Sequence, residues 1–354
     1  MTQKHIILHV GLPKTGTSAV QKTFAKTPEV FAPLGIFYPK SGQHKTSGHH
    51  NLAYELYAPD KFKQKLGSWS DLAEETCRSD LPITIISSEA FRTFMAPVVA
   101  AKLNKLFPDH KHTILLYFRP QWEYIESGYN QLARFGAARG SIVDFYKTSG
   151  RKLVDYRSIL TAWQKAAPNC DIVCLPFATE AKQTGIVAHL CDHLLDIKVD
   201  QTDTLKANQK IGLGGLSAIH YCRDQFRKIT RAPAANLPSF AVIEVSSLYR
   251  RQDDNYDYTF MTPGLNKLIY KESIAQNRWL AKTFPTFDSP DFLEMPKINI
   301  ERSVEVVPAP SAAEKEALRD IIRRAVRLTR KQRLAERARE AEVTTASRKD
   351  GTSN

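Results

Sequence analysis

The feature that most constrains this chain is a short apolar run that ends in a glycine-containing turn and leads directly into a helical pattern. The run covers residues 5–10, the turn covers residues 11–16, and apolar residues four apart, Val20 and Phe24, follow. A continuous apolar run of this length predicts a strand buried on both faces of a sheet. A glycine turn between strand and helix gathers backbone N–H groups at the positive end of the helix dipole, so it predicts an anion site.

The same alternation continues along the N-terminal part. Apolar runs predict further strands, and 3.6-residue spacing predicts helices between them. The strands are expected at 35–39, 83–86, 113–118 and 171–175, and the helices at 18–26, 121–137 and 153–167. The run at 113–118 is the longest, so we expect it at the centre of the sheet. The pattern predicts an α/β fold: a three-layer, P-loop-type parallel sheet flanked by helices, with a basic C-terminal helix.

The predicted organisation places one α/β domain at residues 1–287. A proline-containing connector follows at 288–310, then a basic helix at 311–343 and a disordered tail at 344–354. The basic helix has an apolar side about two turns long. We expect it to pack partly on the body; the alternative is peripheral contact with an anionic membrane or an acidic polymer.

Composition narrows the partners and the compartment. Lys and Arg number 50 against 37 Asp and Glu, a net charge of +13, and a basic surface raises the local concentration of anionic ligands. No nucleic-acid recognition motif accompanies this charge, so no nucleic-acid partner is expected. The five cysteines show no metal-ligand spacing, which predicts free thiols and no metal. With neither a signal peptide nor a run of about 20 apolar residues, we expect a cytoplasmic protein without a transmembrane segment.

The first motif is Gly11-Leu12-Pro13-Lys14-Thr15-Gly16-Thr17-Ser18. Nucleotide triphosphatases carry G-x-x-x-x-G-K-[ST] in this position. Here Thr17 follows the second glycine, and the lysine lies inside the loop at Lys14. This arrangement favours a 5′-phosphosulfate over a Mg²⁺-bound triphosphate.

The second motif begins at Arg119, directly after the longest apolar run, and Ser127 lies eight residues later. The carboxyl ends of parallel strands are where open α/β sheets bind ligands. An arginine and a hydroxyl about two helical turns apart can bind a phosphate together.

Together these two motifs resemble those of the sulfotransferase family that uses 3′-phosphoadenosine 5′-phosphosulfate (PAPS), in particular bacterial, carbohydrate-sulfotransferase-like members. The resemblance covers about residues 1–285. It implies that Lys14, Thr15, Gly16, Thr17 and Ser18 bind the 5′ side of PAPS, and that Arg119 and Ser127 bind its 3′-phosphate. The late R-K-G-x-x-G-D-W-K element of small-molecule sulfotransferases is absent from the sequence, and residues 209–215 are a poor analogue of it. The resemblance therefore implies a glycan or glycan-like hydroxyl as acceptor.

The general base is open between a glutamate and two histidines. The acceptor hydroxyl must lose a proton, which calls for a Glu or His beside the transferred group. Glu89 follows the strand predicted at 83–86, and His49 and His50 form the rival pair. Lys14 joins these as a catalytic candidate. Two other functions remain as alternatives: a P-loop nucleotide kinase or NTPase, and a non-catalytic binding protein on a sulfotransferase scaffold.

Overall fold

The computed structural model describes residues 3–135, 141–199, 211–232, 236–250, 256–305 and 307–350. The chain divides into two compact units that alternate along the sequence. The first unit comprises Met1–Ile125, Ser149–Gln209 and Pro263–Ile298; the second comprises Glu126–Thr148, Lys210–Thr262 and Asn299–Asn354. The single domain that the sequence predicts over residues 1–287 stays a prediction.

A five-stranded sheet forms the centre of the first unit. The strands in chain order are β1 (His5–Val10), β2 (Ile36–Phe37), β3 (Ile83–Ser88), β4 (Lys111–Phe118) and β5 (Asp171–Pro176). Their order in the sheet is β2-β3-β1-β4-β5, and every pairing is parallel. The predicted α/β class with a parallel sheet is confirmed. β1 is the middle strand of the sheet, and the longer β4 lies next to it. Residues 113–118 therefore lie one strand away from the expected central position.

Sixteen helices are present among the described residues. In chain order they are α1 (Thr17–Lys26), α2 (Pro28–Phe31), α3 (His50–Tyr57), α4 (Trp69–Arg78), α5 (Ala96–Leu106), α6 (Gln121–Phe135), α7 (Ile142–Phe145), α8 (Arg151–Leu153), α9 (Tyr156–Ala166), α10 (Thr179–Gln183), α11 (Ile186–Leu195), α12 (Leu213–Thr230), α13 (Ser239–Arg250), α14 (Pro263–Thr283), α15 (Pro290–Leu293) and α16 (Ala312–Asp350). None of the described helices combines the length and apolar character needed to cross a membrane.

Helices cover both faces of the sheet in the first unit. On one face, α1 and α11 contribute buried apolar side chains, among them Phe24 and Leu190, to a cluster with Ile7 and Leu115 of the strands. On the other face, the ring of Phe118 stacks on Tyr156 of α9 with centroids 4.3 Å apart. Since successive strand residues point to opposite faces, these contacts establish the three layers that the sequence predicts.

The second unit has a helical core of its own, built by α12, α13 and α16. The apolar side of α16 is buried there with residues of the other two helices, and its members are Leu318, Ile321, Ile322, Ala325 and Val326. This burial agrees with the expected packing of the basic helix on the body. The helix runs to Asp350, beyond the predicted end at 343.

The edge of the sheet where its strands end is the part that positions the predicted motifs. Val10 pairs with Ser88, and His9 pairs with Leu115, so β1, β3 and β4 run in register toward one edge. Each of these strands leads into a predicted motif within a residue or so of its end.

Candidate functional site

The loop after β1 has the backbone of an anion cradle. Lys14 and Gly16 have positive φ angles of 71° and 79°, and left-handed residues beside right-handed ones turn successive N–H groups toward one point. A side chain at Gly16 would place its Cβ 2.6 Å from Ile186 Cδ1, and one at Gly11 would meet Thr17 Oγ1 at 2.6 Å. The close packing requires glycine at both positions.

The loop hydroxyls brace this backbone from inside. Thr15 Oγ1 donates to Leu12 O at 2.7 Å, and Thr17 Oγ1 donates to the same carbonyl at 3.3 Å. Both threonines are buried, whereas Ser18 is half-buried. Both threonine hydroxyls are therefore engaged with the main chain of the loop.

Arg119 lies against the loop. Its Nη1 donates to Lys14 O at 3.2 Å, and its Nε donates to Glu123 Oε2 at 2.8 Å. Lys182 Nζ donates to both oxygens of Glu123, at 2.6 and 2.8 Å. The carbonyl of Arg119 accepts from Tyr156 OH at 2.7 Å. A guanidinium has five N–H donors, so these contacts leave donor capacity for an anion.

An aromatic ring lies beneath these two cations. The guanidinium carbon of Arg119 is 5.8 Å from the centroid of Phe177, and Lys182 Nζ is 5.9 Å from it. Cations over an aromatic face are attracted by its negative quadrupole. Since Phe177 also lies beside Gly16, the loop and both cations share one packed neighbourhood.

Ser127 lies on α6, half-buried, in the part of that helix that belongs to the second unit. Its predicted role beside Arg119 stays a prediction.

Glu89 follows β3 directly and is held by a polar network. Gln21 Nε2 donates to Glu89 Oε2 at 2.8 Å, and His50 Nε2 lies 3.8 Å from Glu89 Oε1. The Glu89 side chain is 33% exposed and that of His50 is 9% exposed. Of the two, the carboxylate is the more exposed side chain.

His50 is fixed from the opposite side of its ring. Its Nδ1 pairs with Ser88 Oγ at 2.7 Å. Burial lowers the pKa of His50, and the nearby Glu89 carboxylate opposes that shift. The imidazole is therefore oriented by Ser88 with its other nitrogen toward Glu89.

His49 has a different environment, although it is adjacent in sequence. Its side chain is fully buried, its Nδ1 accepts from the Ser87 N–H at 3.0 Å, and its Nε2 donates to Pro39 O at 2.9 Å. Burial lowers its pKa to about 4. Both nitrogens are used by the main chain, which favours Glu89 or His50 over His49 as the base.

His9, on the middle strand, extends the network beneath Glu89. It is fully buried, and its Nδ1 pairs with Ser87 Oγ at 2.9 Å, the same oxygen that lies 3.4 Å from Gln21 Nε2. Burial lowers the pKa of His9 to about 4, so the imidazole is neutral near pH 7.

Sequence reasoning missed several residues of this neighbourhood. Glu123 follows Arg119 by four residues at the start of α6, a spacing that signals an ion pair and could have been used. Gln21 lies one residue after Val20 on α1, and no sequence signal ties it to Glu89. Lys182 could not be found from sequence either, because only the fold brings α10 next to α6.

Residues 209–215 are the poor analogue of the late element of small-molecule sulfotransferases. Residues 209–210 lie outside the described part of the chain, and residues 213–215 begin α12.

Comparisons with known proteins include a distant likeness to a solved structure. No protein-family model matches the chain, and no curated protein matches it. Among solved structures, the chain resembles a sulfotransferase from Alicyclobacillus acidocaldarius, with 15% sequence identity and a TM-score of 0.39. The match covers 65% of this chain and 97% of the other. At this identity and TM-score, the likeness supports no argument about activity.

Proposed function

We propose that this chain is a PAPS-dependent sulfotransferase that moves a sulfuryl group to a hydroxyl of a glycan or glycan-like acceptor. The observation that carries the proposal is the contact between the two motifs: Arg119 Nη1 donates to the carbonyl of Lys14 at 3.2 Å. The two residues are 105 positions apart in the chain. In this proposal Lys14 binds the 5′ side of the nucleotide and Arg119 binds its 3′-phosphate.

The loop accounts for the 5′ side of the donor. In transfer, the acceptor oxygen bonds to sulfur while the bond from sulfur to the bridging phosphate oxygen breaks, and 3′,5′-adenosine bisphosphate leaves. Such displacements are accelerated mainly by positioning and by offsetting developing charge. Lys14, the loop N–H groups and the first turn of α1 would offset the charge on the leaving phosphate, and Ser18 would add a hydroxyl.

Arg119 accounts for the 3′-phosphate, together with Ser127. The carboxylate of Glu123 holds Arg119 and Lys182 in place before the nucleotide binds. A guanidinium fixed in this way loses less conformational freedom when it binds a phosphate.

Glu89 is our choice for the general base. Glu89 and His50 face each other, and the Glu89 side chain is the more exposed of the two. A general base must reach the acceptor hydroxyl. In this scheme the acceptor proton passes to Glu89, and His50 and Gln21 hold the carboxylate. His50 itself is the rival base, and His49 follows as the third candidate.

A nucleotide titration without metal tests the proposal. We expect 3′,5′-adenosine bisphosphate to bind in the presence of EDTA, and Lys14→Ala to weaken that binding. Lys26→Ala, at the exposed end of α1, the helix that follows the loop, is the matched control and should bind normally. Binding of ATP only with Mg²⁺ would instead support the kinase or NTPase alternative. Nucleotide binding without transfer to any acceptor would support the non-catalytic one.

A cytoplasmic location and a contact of the basic helix α16 with a membrane or acidic polymer stay predictions. The apolar side of α16 at residues 318–326 is already buried within the second unit, so such a contact would have to use the charged residues of α16 or its exposed Leu328 and Leu334.

A further inference from the structure

A second group of polar side chains lies on α10 and α11, on residues that the proposed reaction does not use. Glu180 on α10 and His189 and His193 on α11 each offer one ligand atom, and these atoms lie within 4.8 Å of one another. The three residues line an open pocket of about 450 Å³. His193 Nε2 is 3.6 Å from Glu180 Oε1.

His189 is the fixed member of this group. It is 1% exposed, and its Nδ1 is 2.9 Å from Tyr117 OH. Within the described part of the chain, its Nε2 has no hydrogen-bond partner, although a buried polar atom without one is costly. In the tautomer whose Nδ1–H donates to Tyr117 OH, Nε2 carries the lone pair that a metal ligand needs.

The two histidines are arranged as a pair. They are one helical turn apart on α11, and their rings are stacked with centroids 4.1 Å apart and planes 9° apart. Histidines at i and i+4 present their nitrogens on one side of a helix, a spacing that metal sites use. Asp192 lies between them, but its carboxylate is already paired with Lys198.

We propose that Glu180, His189 and His193 bind a divalent transition-metal ion, with Zn²⁺ as the best match to two imidazoles and one carboxylate. Zinc binds such ligands at about 2.0–2.2 Å with tetrahedral geometry. Two ligand atoms of one zinc ion are therefore about 3.3–3.6 Å apart. The observed separations are at most 4.8 Å. A metal lies in the plane of each imidazole that binds it, so the stacked rings have to separate. In this proposal, rotation of the exposed Glu180 and His193 side chains achieves this while His189 stays in place. The fourth position opens to the pocket and would hold water.

The ion would tie α10 to α11 at a place next to the candidate active site. Phe177, just before α10, and Ile186, at the start of α11, both pack around Gly16. Lys182 on α10 pairs with Glu123. The role we assign to the metal is structural: it fixes the segment that supports the loop, and it takes no part in the transfer step.

The experiment uses the full chain with any affinity tag removed and with bound metal stripped by a chelator. Co²⁺ is titrated as a spectroscopic probe, followed by Zn²⁺ in competition. We expect the visible absorption of tetrahedral cobalt to saturate at one equivalent and to disappear as Zn²⁺ replaces it. No absorption, or only the weak bands of octahedral cobalt, overturns the proposal.

Surface variants keep the test independent of folding. Glu180→Gln and His193→Ala change exposed side chains, and each should weaken Co²⁺ binding at least 10-fold, with unfolding in the presence of chelator unchanged. His44→Ala and Glu29→Gln, on other segments, are the controls and should bind like the wild type. If Glu180→Gln and His193→Ala also bind like the wild type, the site is wrong.

The partner of His189 gives a further readout. Tyr117→Phe keeps the buried ring and removes only the hydroxyl that orients His189. Loss of such an outer partner typically lowers metal affinity about 10- to 100-fold. Unchanged affinity in Tyr117→Phe would contradict the ligand role of His189 through Nε2.

Discussion

Replacing the proposed base by its amide, Glu89→Gln, separates chemistry from structure. A glutamine keeps the size of the side chain, and its carbonyl oxygen can still accept from Gln21 Nε2, the bond that measures 2.8 Å in the native chain. The amide cannot take up the proton that the substrate hydroxyl must lose. The change therefore removes a charge and a base without removing the contact.

The two effects differ in size. A hydrogen bond to a charged group contributes roughly 1.5–3 kcal/mol and a neutral one roughly 0.5–1.5 kcal/mol, so the folded state should lose about 1 kcal/mol. Loss of a general base lowers turnover by about 10²- to 10⁴-fold, which corresponds to about 2.7–5.4 kcal/mol in the activation barrier. The loss of activity should therefore exceed anything that the loss of stability explains.

The assay is sulfuryl transfer at saturating nucleotide, with urea unfolding and nucleotide affinity measured on the same samples. Glu75→Gln is the matched control, because the Glu75 carboxylate accepts from the Lys40 and Ser41 N–H groups at 2.8 and 2.7 Å. It should lose at least as much stability, because glutamine can accept only one of these two bonds, and it should keep full turnover. Near-normal turnover in Glu89→Gln, with loss of activity in His50→Asn, which preserves a partner for Ser88 Oγ, would refute the choice of Glu89 and favour His50.

Three further predictions follow from the charge, burial and packing of single residues. Arg119→Ala should weaken the binding free energy of 3′,5′-adenosine bisphosphate by roughly 1.5–3 kcal/mol, about one to two decades in affinity, and change that of 5′-AMP little, as measured by calorimetric titration. Arg78→Ala, at an exposed position, is the control. Equal losses for both nucleotides would remove Arg119 from the 3′-phosphate site. Burial lowers the pKa of His49 from its ordinary value of 6.5 to about 4 in the folded chain. As the pH falls from 6.5 to 4, the unfolded chain therefore takes up the proton first, and the folded state loses up to about 3 kcal/mol of stability. Urea unfolding at several pH values should show a shallower dependence in His49→Gln, and an unchanged slope would contradict this. Leu318→Ala, at a fully buried position, should lower stability by about 2–5 kcal/mol in thermal unfolding, whereas Leu334→Ala, 66% exposed, should change it little; equal effects would count against the helical core of the second unit.

Local sequence signals predicted the elements that carry the site. β1 spans His5–Val10 as predicted, because an apolar run closed by glycine leaves little choice of bounds. The predicted strand at 35–39 shrinks to Ile36–Phe37, since it lies at the sheet edge and pairs with β3 alone. The helix predicted at 153–167 begins at Tyr156, where Asp155 caps it by accepting from the Ser158 N–H.

The division of roles at the site could not be predicted from sequence, because it depends on contacts between distant segments. His49 and His50 are neighbours in the chain, yet only the fold gives His49 two main-chain partners and turns His50 toward Glu89. Lys182 reaches Glu123 across 59 positions. The alternation of the two units is equally non-local, because no composition change marks Ile125 as a boundary.

Sulfuryl transfer from PAPS can be measured directly by following sulfur-labelled PAPS with the wild-type chain and a panel of hydroxyl-bearing glycans. We expect labelled glycan and released 3′,5′-adenosine bisphosphate in equal amounts. We also expect Lys14→Ala to lower the rate by about 10²- to 10³-fold and Lys26→Ala to leave it unchanged. Near-normal turnover with PAPS in Lys14→Ala would show that the chain is not a sulfotransferase that uses this loop.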